Sequence, residues 1–557
     1  MTSPSLIVLN GRVLTLDDTT PRAEAVAITG DRIVAVGGNV EIKALATSQT
    51  EIIDASGRSV LPGFSENHMH LFSGAAQLDH LQLFDTQGFE ALRDTVRAHA
   101  AKHPHEPLLY GQSCNYTILG TNQRLDRKVL DKILPDRPLL LVSPDHHTAW
   151  TNTIGLEKAG LIAGAKLNPG NEVVMGDDGL ANGELREGEA ITPVTMIAGG
   201  DRTRLGLTTG GEPNPYPSPA EFEHDLTVMK RGLDYCASFG ITSIHNMDGN
   251  LYQLELLSEL FRRHGHLPCR VRVPFHFKNF MEIDALNKAE LMRRRYDSEW
   301  IRSGLVKVFF DGVLDSWTAV MIEPYADLPG VAGDPLFSPA RFAEIAVEAD
   351  RRGLQIAVHA IGDGAVCAVL DGYEAAAKTN GTRDARHRIE HVEVVHPDDI
   401  PRFAKLGVIA SMQPPHPPGS AGLPLEPTVS RIGRARWPYS YAWRTLKNAG
   451  ARIAFASDWP VSPVSPFIGI EAAITRKPWA DGLPDQSFTL HEALAAYARE
   501  GAYAEFAESW KGMIRPGYAA DLTILDGDIQ STEHKHLHRL APALTVCGGH
   551  VSYRAGI

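Results

Sequence analysis

The sequence predicts an α/β fold: a (β/α)8 TIM-like barrel, joined to a small β-sandwich domain built from both termini and interrupted by an insertion after the first barrel strand. Through the middle of the chain, short apolar runs alternate with helical segments, the pattern of a parallel sheet wrapped in helices. Both ends instead carry the alternating, turn-punctuated texture of small antiparallel strands. The first two central runs lie about 175 residues apart, far more than a crossover needs, so much of the intervening chain must be inserted.

The elements follow in order. Ser5 to Leu16, Ala25 to Ile28, Arg32 to Gly38 and Glu51 to Asp54 read as N-terminal strands, with Asn10-Gly11 and Gly30-Asp31 as hairpin turns. Ala520 to Asp526 and Leu544 to Tyr553 repeat that texture, so residues 1–60 and 512–557 are expected to form one β domain. Eight barrel strands are expected at Val60 to Phe64, Ile241 to His245, Val271 to Phe277, Leu305 to Phe310, Gln355 to His359, His387 to His391, Val408 to Met412 and Ile453 to Ser457. Ala340 to Arg352 and Tyr439 to Ala449 read as helices between them. The barrel would then comprise residues 61–80 and 220–511, with 81–219 covering the active-site face and a Gly- and Pro-rich loop or lid over Gly199 to Pro219.

Composition narrows the function. Hydrophobic residues are 43% and charged residues 22%, as in soluble globular proteins, and a net charge of -13 disfavours a surface that tracks phosphates, which excludes nucleic acid as the expected partner. Five scattered cysteines form no C-x-x-C pair, and neither a leader peptide nor a run of membrane-span length is apparent. A cytoplasmic protein with a small-molecule substrate and no membrane partner is expected, with a homodimer left open.

The chemistry of a barrel sits at the C-terminal ends of its strands. There the first strand delivers His68 and His70, which point the same way from an extended segment; the fourth carries Lys307; the fifth and sixth end at His359 and His391; the eighth runs into Asp458. A lone strand-end histidine is most often structural, but four histidines and an aspartate on one rim predict a metal site.

Ordered motifs extend this pattern: Leu61-Pro-Gly-Phe…His68-Met-His70, Gly240-Ile-Thr-Ser, Val306-Lys-Val…Asp311-Gly312, Ala357-Val-His-Ala-Ile-Gly-Asp363-Gly, Arg386-His-Arg-Ile-Glu-His391, Ser411-Met-Gln-Pro, Ser457-Asp458-Trp-Pro-Val and Lys511-Gly…Arg515-Pro-Gly…Ala520-Asp-Leu. In these the chain resembles the amidohydrolase superfamily, specifically the family-3 amidohydrolases that include N-substituted formamide deformylases. That resemblance implies one or two divalent ions, usually zinc, with an activated hydroxide. His68, His70 and Asp458 would hold the first ion, His359 and His391 the second, and Lys307 would bridge them as an N-carboxylated lysine. An ammonium within Val-Lys-Val-Phe-Phe is costly to bury, which favours the carbamate; a lysine that reaches the rim or pairs with Asp311 is the alternative. His391 either ligates or orients the substrate carbonyl. Asp458 is expected to shuttle the proton from water to the leaving amine.

Four further residues are candidates for substrate binding. His147 lies in Asp145-His-His-Thr-Ala-Trp-Thr-Asn152, which is similar to a family segment that has glycine in place of His146; Trp317 and Trp459 neighbour the ligand loops; His416 follows the seventh strand. His245 reads as core, and His103-Pro-His105 as surface. The expected activity is metal-dependent hydrolysis of a C–N bond in a small amide, N-acyl or formamide-like compound. Lactone or ester hydrolysis, decarboxylation or isomerisation at the same site, and a non-catalytic metal-binding barrel are the alternatives.

Overall fold

The structure, a computed structural model, describes residues 3–78, 80–120, 123–198 and 202–557. The two ends of the chain meet in one β unit. Leu6–Leu9 lies between Ala25–Thr29 and Glu51–Asp54 in a four-stranded sheet completed by Arg32–Gly37. In a second, six-stranded sheet the C-terminal strand Leu522–Leu525 pairs antiparallel with Ser59–Pro62 on one side and with Pro542–Cys547 on the other. Val8, Val26 and Ile28 from the first sheet pack with Val60, Leu522, Ile524 and Leu544 from the second in one buried cluster. Gly30-Asp31 turns a true hairpin. Asn10-Gly11 does not: Leu6–Leu9 and Arg12–Leu14 belong to different sheets, and Asn10, at φ 54°, steps the chain from one to the other.

The chain leaves this unit at Gly63, where an added Cβ would lie 2.2 Å from Thr242 Oγ1, so only glycine lets the crossing run this close to the second barrel strand. The first barrel strand is therefore Phe64–Met69, not Val60 to Phe64. The apolar residues Val60 and Leu61 pair with Ile524 and Thr523 in the β unit. The strand that follows buries Ser65, Glu66, Asn67 and His68, a polar run that hydrophobic patterning does not mark as a strand.

Eight strands are parallel neighbours in sequence order: Phe64–Met69, Ile241–Asn246, Arg270–Arg272 with Phe275–His276, Ile301–Arg302 with Leu305–Phe309, Gln355–Ala360, Arg388–His391, Ile409–Met412 and Arg452–Phe455. The result is TIM-barrel-like, but its ladder is not closed. It divides into two sheets within the third and fourth strands, where Pro274 lacks the amide that a continuous ladder requires. The last and first strands share no ladder; beyond their ends, Asp458 N donates to His68 O (2.9 Å) and His70 N to Trp459 O (2.8 Å).

Helices such as Pro219–Ala237, Leu251–His264, Pro339–Arg351 and Asp363–Asn380 pack around the strands in one large apolar core. Pro339–Arg351 matches its expected span. The expected helix from Tyr439 to Ala449 shrinks to Trp443–Asn448, because Tyr441 takes φ 49° and its hydroxyl turns to Glu393 Oε2 (2.9 Å). Between the first two barrel strands, Leu81–Gln82, Leu109–Gln112, Leu139–Val142, Thr148–Thr151, Ala181–Arg186 and Glu172–Met175 build a separate six-stranded sheet. Of the expected lid, residues 199–201 lie outside the described residues; Leu205–Thr208 forms a short helix beside the barrel mouth. All five cysteines are free, and no helix among the described residues is long and apolar enough to cross a membrane.

Candidate metal centre

A buried polar layer supports the barrel rim. Arg388, with no solvent exposure, donates from Nε to Glu390 Oε1 (2.7 Å) and from Nη2 to Asn67 O (2.6 Å), Glu390 Oε2 (2.9 Å) and Ser411 Oγ (2.9 Å). Glu390 in turn takes the His68 Nδ1 proton at 2.7 Å, which directs the Nε2 lone pair of His68 toward the rim. Likewise His391 Nδ1 donates to Gln413 Oε1 (2.9 Å). Behind His70 stands Asp248, from the end of the second strand, with Oδ1 3.9 Å from His70 Nδ1. The Ser-Asp-Trp-Pro turn is fixed by the backbone bonds across the barrel seam, which set Asp458 Oδ1 3.4 Å from both His68 Nε2 and His70 Nε2.

These atoms have unmet bonding capacity. His70 Nδ1, His391 Nε2, His416 Nε2, Asp458 Oδ1 and both oxygens of Asp248 are buried without a hydrogen-bond partner. Buried polar atoms are nearly always satisfied, so a cluster of bare lone pairs is the signature of a missing cation. Burial holds His68, His359 and His391 well below the usual imidazole range, which keeps them neutral as ligation requires. Burial alone would raise the Asp458 carboxyl, but His68 and His70 beside it bring it down to about 2. At the rim two groups each bring three ligand atoms within 4.8 Å of one another, His68, His70 and Asp458, and His391, His416 and Asp458; a third such group, His99, His103 and Glu106, lies outside the rim in the insertion. The residues fit a divalent ion.

The backbone is strained at the same place. His146, Glu187, His391 and Asp458 adopt φ of 64°, 65°, 77° and 62°, a region that side chains other than glycine rarely occupy and that concentrates at functional sites.

The remaining expected residues divide. Lys307 is fully buried with Nζ 3.5 Å from His68 Nε2 and 4.6 Å from the Phe309 ring centre, and burial pushes its ammonium down to about 8. His359 faces His391, ring centres 4.4 Å apart, but its Nε2 donates to Gly312 O (3.0 Å) and it belongs to neither close-set group. His147, from the insertion, lines the site cavity and donates from Nδ1 to Glu187 Oε2 (2.8 Å), which offsets burial and raises the imidazole to about 9. His416 also lines the cavity, 3.6 Å from Glu393 and 4.0 Å from Asp458.

Neither tryptophan walls the pocket. Trp459 turns away, so close to Gly74 that a Cβ there would sit 2.5 Å from its ring, and packs 5.4 Å from Tyr235. Trp317 donates from Nε1 to Asp327 (3.1 Å) and stacks under Arg431 at 3.7 Å. His245 is core, between Arg388 (2.8 Å) and Glu505 (3.5 Å). On the insertion's surface His103 stacks on His99, ring centres 4.2 Å apart.

The cavity above the centre has a volume of about 490 Å³ and is walled by Phe84, Phe277, Phe280 and Phe309 together with several prolines. Asp248, Lys278, Glu187 and Glu393 are site residues that motif reading missed. Lys278, two residues past the third strand, is pushed down to about 7 by burial and by Lys307 nearby. The only available signal was position, a charged residue just after a barrel strand.

Comparison with known proteins agrees with this geometry. Among curated sequences, the chain is 28% identical over 530 residues to Protein LONG AFTER FAR-RED 3 of Arabidopsis thaliana, covering 93% of this chain and 87% of that protein. It is 25% identical over 558 residues to the N-substituted formamide deformylase of Arthrobacter pascens, with 98% of each covered. Among solved structures, an uncharacterized metal-dependent hydrolase from Pyrococcus horikoshii superposes with a TM-score of 0.72 at 23% identity, over 95% of this chain and 99% of that one. The Amidohydrolase family model matches residues 51–553, and the chain belongs to that family.

Proposed function

We propose that this protein is a metal-dependent hydrolase of a C–N bond in a small amide, N-acyl or formamide-like compound. The observation that carries the proposal is the set of unpartnered buried ligand atoms of His70, His391, His416 and Asp458 that line or adjoin one cavity. His68, His70 and Asp458 would hold the ion, with zinc the expected metal; His391 extends the donor set, and Lys307 would join it as a carbamate, with His359 at its flank. A bound divalent ion supplies Lewis acidity and lowers the pKa of water to about 7.

The protein's own groups do the rest. Asp458 is ionised, with Oδ1 toward His68 and His70 and Oδ2 toward His391 (3.9 Å) and His416 (4.0 Å). Oδ2 therefore accepts the proton of the attacking water and returns it to the leaving nitrogen, because a tetrahedral adduct expels nitrogen only as the protonated amine. The apolar phenylalanine and proline side chains beside the site lower the local polarity, which strengthens each of these electrostatic contacts. His147, held by Glu187, is placed to meet the substrate from the insertion side.

The test is elemental analysis of the purified protein, followed by a product screen of the metal-loaded form against amides, formamides, lactones and carboxylates. Bound divalent metal and amine release support the reading. A protein that binds no metal, or one that turns over only lactones or carboxylates, overturns it.

A further inference from the structure

By charge count the cavity walls are acidic, yet their bonding capacity is not. Asp145 accepts from Tyr116 Oη (3.0 Å) and His147 N (2.9 Å). Glu187 is occupied by His147 (2.8 Å) and by the Thr318 hydroxyl (2.9 Å), and Glu393 by the Tyr441 hydroxyl (2.9 Å). The two basic residues of the lining, Lys278 and Arg204, differ. Among the described residues neither has a carboxylate within 4.0 Å; the Lys278 ammonium lies 5.4 Å from the Phe309 ring centre, with Glu187 acting on it only from further off. Arg204 is 9% exposed; one guanidinium nitrogen meets the Tyr110 hydroxyl, while its Nε is buried without a partner. Arg204 is buried and Lys278 half-buried; cations so enclosed usually face a carboxylate, so two that share a cavity without one within 4.0 Å indicate an anion brought by a ligand. Their elements are joined, since His276 Nδ1, at the end of the third strand, lies 3.1 Å from the Gly206 carbonyl in the short helix after Arg204.

We infer that Lys278 and Arg204 form a subsite for a carboxylate carried by the substrate, on the side of the cavity formed by the third strand and residues 204–208. This rests on the hydrolase reading only in calling the ligand a substrate. A monoanion suits the site better than a phosphate dianion, because carboxylates also line the cavity. The apolar lining selects an aromatic or branched body between that carboxylate and the scissile bond.

The first test is calorimetric titration of the metal-loaded protein with phenylacetate and with its neutral analogue 2-phenylethanol. Phenylacetate should bind at least about tenfold more tightly, and Lys278→Met and Arg204→Gln should each remove that advantage while Lys278→Arg retains it, as expected for a charge-assisted hydrogen bond. Unchanged phenylacetate affinity in Lys278→Met, with circular dichroism showing a folded variant, would place the carboxylate elsewhere and overturn the inference. Equal binding of both compounds, no binding of either, or displacement of phenylacetate by equimolar inorganic phosphate would do the same. The second test is turnover of N-formyl- and N-acetylbenzylamine with and without a para-carboxylate. The carboxylated forms should show a lower KM, and Lys278→Met should abolish that difference by raising KM for the carboxylated forms. If Lys278-dependent phenylacetate binding persists but no amide is hydrolysed, the hydrolase reading fails and the subsite stands.

Discussion

Replacing Asp248 by Asn should weaken metal binding while leaving the metal-free protein as stable as before or more so. Asp248 is fully buried, neither of its oxygens has a hydrogen bond, and its nearest charged-type neighbour is His70 Nδ1 at 3.9 Å. Without a cation on the rim, burial pushes the Asp248 carboxyl up to about 6, and holding it ionised there costs about 1–3 kcal/mol. With one, His70 must present Nε2, its Nδ1 carries the proton, and Asp248 becomes the acceptor for it, as Glu390 already is for His68. Loss of such a backing group lowers metal affinity by about 10–100-fold, or roughly 1.4–2.7 kcal/mol. The two effects have opposite signs, which separates this role from a structural one: a residue that only supported the fold would lower the melting temperature of the metal-free protein when changed. The assay is competition for Zn²⁺ or Co²⁺ against a chromogenic chelator, paired with thermal melts of the chelator-treated protein. Wild-type metal affinity in the Asp248→Asn variant, or a clear fall in the melting temperature of its metal-free form, would refute the reasoning.

Asp458→Asn should retain much of the metal but lower kcat by at least about 10²-fold, the lower range for general acid–base catalysis; near-normal turnover would move proton transfer to another group. Gly74→Ala should lower the melting temperature, since its Cβ would lie 2.5 Å from the Trp459 ring and overpacking of this kind costs about 1–3 kcal/mol. Because Trp459 O accepts from His70 N, the same variant should also bind metal less tightly, as read by the chelator competition. Asp350 is buried, but bonds from His387, Asn380 and Arg383 outweigh that and bring its carboxyl down to about 2 from an ordinary 3.8. A depressed folded pKa contributes stability above about pH 4 that is lost as pH falls toward 2; melting curves of wild type and Asp350→Asn should converge over that window, and parallel curves would refute the assignment.

The rim was legible because polar residues at the ends of apolar runs stand out in sequence: His359, His391 and Asp458 each follow a recognisable strand, and each faces the cavity. Where the strand itself is polar, the local pattern carries no such mark. Glu66, Asn67 and His68 are buried because Ser457 N, Phe455 O and Glu390 bond to them, partners that lie more than 300 residues away and leave no local trace. Asp248 and Lys278 carry no motif at all; what marks Asp248 is carboxylate oxygens buried without a partner, and what marks Lys278 is its place in the cavity lining, both properties of three-dimensional packing. Aromatic residues misled for the converse reason, since Trp459 and Trp317 adjoin site loops in sequence while the backbone, turned at φ 59° in Trp317, points them into packing. Asn10-Gly11 is a valid turn whose flanking strands happen to join different sheets, a choice that turn chemistry does not make.

The unzipped boundary between the eighth and first strands has a mechanical consequence. His68 and His70 lie on one side of it and Asp458 on the other, so these three, if they hold an ion, would clasp the barrel across this open seam. Metal loading should then slow amide hydrogen exchange at Asp458 and His70, whose N–H groups bridge the gap, far more than in the continuous arc from Leu305–Phe309 to Arg452–Phe455. Chelation would in effect cut the hoop at a defined point, and unfolding would start there, with the catalytic rim the first part of the barrel to open and the β unit that joins both chain ends keeping the cut edges close together.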